Sequence, residues 1–347
     1  MVLYLGLLIF SFLISAIVVV PFINLLYHLK FQRRHQLPTI KKTDRYTPFL
    51  KMHELHDWKA GTPTGGGLLV ILMVSILYLF LFPLMVRLGV YISTSYPMIQ
   101  ELQILFLTFL SFGALGLYDD IIKFFGIPKQ GVFGLPTLTK FAIQWVLAFI
   151  IAIMLYQNLH IQIVNLPVFG VISLGPLYIP FAAFVVVGFA NAFNITDGLD
   201  GLACGLLLFA LAAFWVVAGS SLDTVLSTFI ALFMGSLIAF LYFNVFPARL
   251  WLGDVGALAF GATLAVIGLL LGKVIAVFVV SAIFLIDGGS SLLQIIWFHT
   301  TGGKRLFPIA PLHHFLELKG WEEPKIVMRA WLAAIMLAVF GLWLALL

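Results

Sequence analysis

Ten apolar segments, each close to 20 residues long, are the feature that most limits how this chain can fold. They lie at 3–28, 66–90, 102–118, 138–157, 176–193, 201–219, 224–243, 255–272, 274–297 and 327–346. A helix needs about 20 apolar residues to cross the hydrocarbon core of a bilayer. Only 10% of the 347 residues are charged, whereas a soluble domain carries about 25%. We therefore predict an all-α integral membrane protein with about ten transmembrane helices, in a single polytopic domain covering 1–347.

Lysine and arginine are distributed unevenly between the predicted loops. Ten spans place both termini on one side of the membrane. The loops at 29–65, 119–140, 244–254 and 298–329 hold eight, three, one and five basic residues, and the opposite side holds Arg87 and Lys273. The positive-inside rule makes the first set cytoplasmic and both termini external. This asymmetry accounts for the sequence pI near 9.3 through topology and contacts with anionic lipids, so we expect no nucleic-acid partner.

One segment of the chain has the pattern of a strand pair. Residues 160–174 alternate in polarity around Pro167 and Gly170. Alternation on both sides of a proline and a glycine is typical of a hairpin. We predict a small external β-hairpin there.

Five aspartates fall at the ends of predicted spans on the cytoplasmic side. Asp119 and Asp120 follow the third span, Asp197 and Asp200 lie between the fifth and sixth, and Asp254 precedes the eighth. An ionisable residue at such a depth is costly and therefore often functional, although a single one is equally typical of a helix end at the headgroup level. Because all five are predicted on one face, we predict that they form one site.

Clustered carboxylates repel one another and need a cation. Oxygen ligands beside phosphates suit Mg²⁺, which keeps several waters and takes one or two carboxylates from the protein. The sequence has no HExxH motif, and its single cysteine, Cys204, excludes a paired-cysteine zinc site. The prediction is therefore a Mg²⁺ site among the aspartates.

Two further segments lie on the same predicted face. Lys59 shortly precedes the glycines 65–67, which open the second span. Their N–H groups can receive an anion, although such glycines are at least as typical of close helix packing. The loop at 302–321 combines Lys304, His313 and His314 with aromatic neighbours. These residue types suit a diphosphate and a base ring, or equally a loop that touches anionic lipid.

At these motifs the sequence resembles the polyprenyl-phosphate N-acetylhexosamine-1-phosphate transferases. Within that superfamily it is most similar to the branch that transfers phospho-N-acetylmuramoyl-pentapeptide, and the resemblance covers nearly the whole chain. The aspartate motifs are shared across the superfamily, whereas the first and last matching stretches are typical of the muramoyl branch. The matching stretches are 59–64 (KAGTPT), 117–123 (LYDDIIK), 191–203 (NAFNITDGLDGLA), 253–258 (GDVGAL) and 311–321 (PLHHFLELKGW).

The resemblance implies ten transmembrane helices, usually in a homodimer, with an active-site cleft that opens to the cytoplasm at a bacterial inner membrane. The implied reaction is attack by undecaprenyl phosphate on the β-phosphate of UDP-N-acetylmuramoyl-pentapeptide. It requires Mg²⁺ and yields lipid I and UMP, which is the first membrane step of peptidoglycan biosynthesis.

Residue roles follow by matched position only. The resemblance implies that Asp254 is the principal Mg²⁺ ligand and that Asp119 and Asp120 flank the metal and the lipid phosphate. Lys59 and Lys140 would steady phosphate charge. The implied substrate-binding residues are Thr64, Asn194, Asp197, Asp200, Lys304, His313 and His314.

The sequence departs from the family pattern at three informative positions, and other functions stay open. Gly65 stands where the family's Pro-Thr-Met-Gly-Gly stretch has a methionine. Phe315 replaces the last of three consecutive histidines, and Asp287 replaces a glutamate of the ninth span. One alternative is a sister transferase that uses UDP-N-acetylglucosamine. Another is an ion-coupled transporter, which is less favoured because transporter sites usually lie near the bilayer midplane between repeats.

Overall fold

A computed structural model describes residues 2–32, 47–125, 134–167 and 169–347. The basic residues between 33 and 46, together with Lys129, were predicted as topology signals and lie outside the described residues. The α-helices of the described chain are α1 (Val2–His28), α2 (Thr47–His56), α3 (Gly66–Arg87), α4 (Met98–Phe125), α5 (Thr137–Asn158), α6 (Tyr178–Thr196), α7 (Leu202–Ser220), α8 (Thr224–Asn244), α9 (Gly253–Leu270), α10 (Val274–Val280), α11 (Ala282–Thr300), α12 (Leu312–Leu318) and α13 (Glu323–Leu346).

Ten of the described helices are long and apolar enough to cross a membrane. They are all the helices just named except α2, α10 and α12, and each corresponds to one predicted span. The prediction of an all-α, multi-pass membrane protein is therefore confirmed. Many large apolar side chains of the outer helices are exposed, such as Leu79 and Phe80 on α3, which suits a surface that contacts lipid.

Helices α8 and α9 form the centre of the bundle. Helix α9 packs against α3, α4 and α6, and α8 packs against α1, α3 and α7. Small residues allow α9 this approach: a Cβ on Gly261 would lie 2.5 Å from the carbonyl oxygen of Phe189. Aromatic rings fill the space between the helices, and the centroids of Phe233 and Phe260 are 4.8 Å apart. Close backbone contact replaces the hydrophobic effect as the packing force inside a bilayer.

Two predicted spans differ from the helices that form. The third span was predicted to end before Asp119, but α4 continues to Phe125. The helix can continue because both aspartates have polar partners, described below. The ninth span, predicted as one segment at 274–297, is interrupted at Ser281, where the backbone departs from helical values (φ −101°, ψ 17°). Asp287 therefore lies in the separate helix α11.

The predicted hairpin is confirmed. Strands β1 (Ile163–Leu166) and β2 (Gly170–Ser173) pair antiparallel, with Ile163 opposite Ser173. Two short 3₁₀ turns, Asp57–Lys59 and Gly175–Leu177, precede α3 and α6. Asp57–Lys59 is the one that matters for the site, because it carries a buried lysine.

We expect Gly261→Ala to destabilise the protein, because the added methyl group overlaps the backbone of α6 at Phe189. Overpacking of this kind costs about 1–3 kcal/mol. The matched control is Gly188→Ala, since that helical glycine is exposed and has open space where a Cβ would lie. The midpoint of thermal denaturation in detergent should fall for the first variant and stay or rise slightly for the second. Equal midpoints would contradict the packing argument.

Candidate active site

The acidic pair of α4 meets the beginning of α9 through a close helix crossing. A Cβ on Gly116 would lie 2.1 Å from the carbonyl oxygen of Asp254. This contact brings Asp119 and Asp120, which are both buried, to the first turn of α9. Asp120 Oδ2 accepts the Val255 N–H at 3.0 Å, so this carboxylate satisfies one of the open amides at the N-terminus of α9.

Two lysines join Asp119 and Asp254. Lys123 Nζ lies 3.0 Å from Asp119 Oδ2 and 2.9 Å from Asp254 Oδ2. Lys140 Nζ donates to the same two oxygens, at 2.9 Å for Asp119. Asp119 Oδ1 accepts the Leu135 N–H at 2.7 Å. Helices α4, α5 and α9 thus contribute to a single ion cluster, which we call the paired-lysine centre (Asp119, Asp254, Lys123 and Lys140).

A second ion cluster surrounds Lys59, which is 1% exposed. Its Nζ donates to Asp200 Oδ1 at 2.8 Å and to Glu323 Oε1 at 2.6 Å. Glu323 also accepts the Asp200 N–H at 2.6 Å, and Asp200 Oδ2 accepts the Ala248 N–H at 2.9 Å. The ammonium group lies 5.4 Å from the ring centroid of Trp251, a cation–π distance. Every charge of this cluster therefore has a partner in spite of its burial.

The turn at 197–200 lies between the two clusters. Burial, together with the negative charges of Asp254, Asp200 and Asp120, raises the pKa of Asp197 to about 8, although Lys59 opposes the shift. The turn lines a cavity of about 10 Å³ together with Asn244, whose buried Oδ1 has no hydrogen-bond partner among the described residues. An excess of negative charge and an unused acceptor therefore mark this turn as a place for a cation or a polar ligand.

His313 points at the same turn from α12. Its backbone N–H donates to Asp287 Oδ1 at 3.0 Å, and its Nδ1 lies 2.7 Å from Asp287 Oδ2. The other ring nitrogen, Nε2, is buried and has no partner among the described residues. A Cβ on Gly198 would lie 2.3 Å from it. Since the carboxylate holds Nδ1 as the protonated nitrogen, Nε2 is directed at the turn as an acceptor.

His314 belongs to a separate group on the other side of α12. Its Nδ1 lies 2.7 Å from Glu317 Oε2, and His56 Nε2 lies 3.1 Å from the same carboxylate. Burial disfavours the charged forms of both His314 and Glu317. The pKa of His314 is lowered by that burial, whereas the hydrogen bonds from both histidines outweigh it at Glu317 and lower the pKa of this carboxyl to about 2.

The glycines at the start of α3 serve packing and leave few amides for an anion. The Gly66 N–H donates to the Trp251 carbonyl at 2.8 Å, and the Gly67 N–H donates to the Leu252 carbonyl at 2.9 Å. A Cβ on Gly67 would lie 2.2 Å from the Gly256 Cα. Of the two interpretations left open by the sequence, close packing is the one that the described contacts support.

The remaining predicted residues are less closely connected. Thr64 is buried and forms a bridge with Trp251. Asn194 is half-buried in the last turn of α6. Lys304 is exposed between α11 and α12, and within the described parts of the chain no ion pair joins it to either cluster.

Sequence reasoning did not select five residues that the structure brings into these clusters. Lys123 carries a local signal, because it follows Asp119 by four residues on one helix. Asp287 carries a weaker one, as an acid within an apolar span. The other three depend on contacts across more than 100 residues and have no pattern of their own: Glu323, Glu317 and His56.

Comparison with known proteins identifies similar chains. Residues 102–272 match the profile of the family described as "Glycosyl transferase family 4". A phospho-N-acetylmuramoyl-pentapeptide-transferase of Aquifex aeolicus is 38% identical over 86% of this chain and 81% of its own length. Proteins with the same name from Listeria monocytogenes and Rickettsia canadensis are each 34% identical, over 92% and 83% of this chain and 91% and 81% of their own lengths.

We expect Lys59→Met to destabilise the protein by about 3–5 kcal/mol, because it leaves Asp200 and Glu323 buried side by side without a cation. Adding Glu323→Gln removes one of those charges and should restore part of the loss. Thermal denaturation of both single variants and the double variant measures this coupling. Lys319→Met, at an exposed position, is the control with an expected change within about 0.5 kcal/mol. Additive effects of the two cluster substitutions would contradict the ion pair.

A pH dependence follows from the raised pKa of Asp197. Without divalent cations, the folded protein keeps a proton on this carboxyl that the unfolded chain has already lost. Stability should therefore fall as the pH rises from about 5 to about 8. Asp197→Asn stays neutral and should remove that part of the slope. The measurement is the denaturation midpoint in EDTA as a function of pH, and parallel curves for the two proteins would refute the assignment.

Proposed function

The chain belongs to the phospho-N-acetylmuramoyl-pentapeptide transferases, and we propose that it carries out their reaction at the centre between α4, α5 and α9. An oxygen of undecaprenyl phosphate attacks the β-phosphorus of UDP-N-acetylmuramoyl-pentapeptide. The bond from that phosphorus to the oxygen bridging to the α-phosphate breaks, and UMP leaves with this oxygen. The other product is lipid I. The chain is a multi-pass membrane protein, which suits one substrate from the lipid and one from water.

The observation that carries the proposal is the paired-lysine centre. Phosphoryl transfer depends on positioning and on neutralised charge more than on covalent chemistry by the protein. Lys123 and Lys140 place two ammonium groups beside Asp254 and Asp119, where they can interact with the phosphate oxygens. Preorganised groups of this kind stabilise charge as it develops in the transition state.

The two aspartates of α4 take different parts. Asp119 uses its oxygens for Leu135 and the two lysines, so its role is to hold the ammonium groups. Asp120 accepts the Val255 N–H and, among the described residues, forms no ion pair with either lysine. It is therefore the better placed of the two to accept a proton from the lipid phosphate.

The donor set of this region fits Mg²⁺. Asp254, with Asp119 and Asp120 beside it, would hold the ion through oxygen ligands alone, which Mg²⁺ prefers. Burial is the main cause of the raised pKa of Asp197, and the charges of Asp254, Asp200 and Asp120 add to it; a dication would compensate for those charges. When bound, Mg²⁺ would neutralise charge on the diphosphate.

We assign the nucleotide sugar to the side of the 197–200 turn. His313 Nε2 and Asn244 Oδ1, both buried without partners among the described residues, offer acceptors there. Asp197 and Asp200 belong to the turn itself, and Lys59 steadies Asp200. The other residues assigned to this substrate are Thr64, Asn194, Lys304 and His314.

The setting we propose is a bacterial inner membrane with the active site on the cytoplasmic face. The excess of lysine and arginine in the predicted cytoplasmic loops supports this orientation. We also propose a homodimer, the arrangement usual in the family, with membrane lipids around the apolar outer faces.

The test is UMP release by the purified protein with undecaprenyl phosphate, comparing UDP-N-acetylmuramoyl-pentapeptide with UDP-N-acetylglucosamine. We expect release with the muramoyl substrate only, abolished by EDTA and restored by Mg²⁺. Asp254→Asn should reduce the rate by about 100-fold or more in a protein that still folds. Release with UDP-N-acetylglucosamine alone would move the protein to the sister branch, as the substitution at Phe315 allows. Full Mg²⁺-dependent activity of Asp254→Asn would refute the metal assignment.

A further inference from the structure

Three side chains, of which only His314 has a part in the proposed reaction, meet between α2 and α12. They are His56, His314 and Glu317, and their ligand atoms all lie within 4.8 Å of one another. His56 Nε2 is 3.1 Å and His314 Nδ1 is 2.7 Å from the Glu317 carboxylate. The side chains are 10%, 25% and 7% exposed, respectively, so water reaches the group mainly from the side of His314.

The donor set of these three side chains suits a different metal from the Mg²⁺ proposed at Asp254. Two imidazole nitrogens and one carboxylate oxygen form a ligand set that Zn²⁺ uses where one coordination position stays open. Zinc bonds to these atoms are about 2.0–2.2 Å long, which places tetrahedral ligand atoms about 3.3 Å apart. The observed separations from Glu317 are close to that value, so a small adjustment of side chains would admit the ion.

The charge of the group also favours a cation. Glu317 is an anion at neutral pH, and among the described residues no lysine or arginine pairs with it. Burial disfavours the protonated form of His314. A partly buried carboxylate with two imidazole nitrogens directed at it offers three ligand atoms, and a dication would neutralise the charge of the carboxylate.

We propose that His56, His314 and Glu317 bind one dication of zinc type. This second metal site is distinct from the proposed Mg²⁺ site at Asp254. The site ties two segments that deliver residues to the 197–200 turn. His56 lies three residues before Lys59, which pairs with Asp200, and His314 follows His313, whose ring reaches Gly198. The ion would therefore act as a clamp that fixes both segments against the turn.

The experiment measures metal content and needs no transfer activity, so it can fail or succeed independently of the proposed function. Protein without an affinity tag is stripped with a chelator, incubated with Zn²⁺ in excess Mg²⁺, separated by gel filtration and analysed by mass spectrometry of the elements. We compare the wild type with His56→Ala and Glu317→Gln. The matched control is His299→Ala, which removes an exposed histidine of α11.

We expect about one zinc per chain in the wild type and the control, and little in the other two variants. Zn²⁺ should also raise the denaturation midpoint of the wild type and the control only. Glu317→Gln keeps an acceptor for the histidines while weakening metal ligation, so it separates a metal site from a hydrogen-bonded triad. A wild type that holds no zinc, or zinc retained by both variants, would overturn the proposal. If His56→Ala fails to fold, the wild type and Glu317→Gln still decide.

Discussion

The cost of burying charge at the edge of an apolar bundle is the constraint on which the arrangement of this protein depends. A buried carboxylate is stabilised by a cation or an N–H group, and most partners of the site carboxylates come from other helices. Lys140 of α5 joins α4 to α9, and Lys59 joins the 197–200 turn to α13. The polar site is consequently complete only when the helices are packed. Breaking such a pair leaves a buried charge uncompensated, so stability and chemistry are properties of the same contacts.

Much of the architecture was predictable because a bilayer imposes a simple rule on sequence. Hydropathy determined the ten spans, and the location of Asp119, Asp197 and Asp254 at the ends of spans predicted one polar region. Their partners were harder to predict. Lys123 is local to Asp119, but Glu323 reaches Lys59 across 264 residues, and only the packing of α13 decides that contact. Charge pairing over such separations leaves no periodicity that a single sequence can reveal.

The glycines before α3 show why a motif can predict a location without predicting its use. Adjacent glycines suit both an anion site and a close backbone approach. The choice depends on what lies opposite, and here it is the segment that leads into α9: the Gly66 and Gly67 amides donate to the Trp251 and Leu252 carbonyls. The break of the ninth span at Ser281 was not predictable either, because an apolar run by itself does not show where one helix ends and the next begins.

The division between spans and connecting segments explains how one turn can receive so many polar groups. The central helices α8 and α9 contribute packing along their length, and the polar residues are concentrated where helices begin, end or are interrupted. Helix α12 and the 3₁₀ turn Asp57–Lys59 lie in two such segments and approach the 197–200 turn from different directions. Short segments of this kind have little apolar surface with which to hold their positions. A carboxylate beside His313 and a His–Glu group between α2 and α12 replace that missing surface with directional contacts. These polar groups thereby position Lys59 and His313 against the turn.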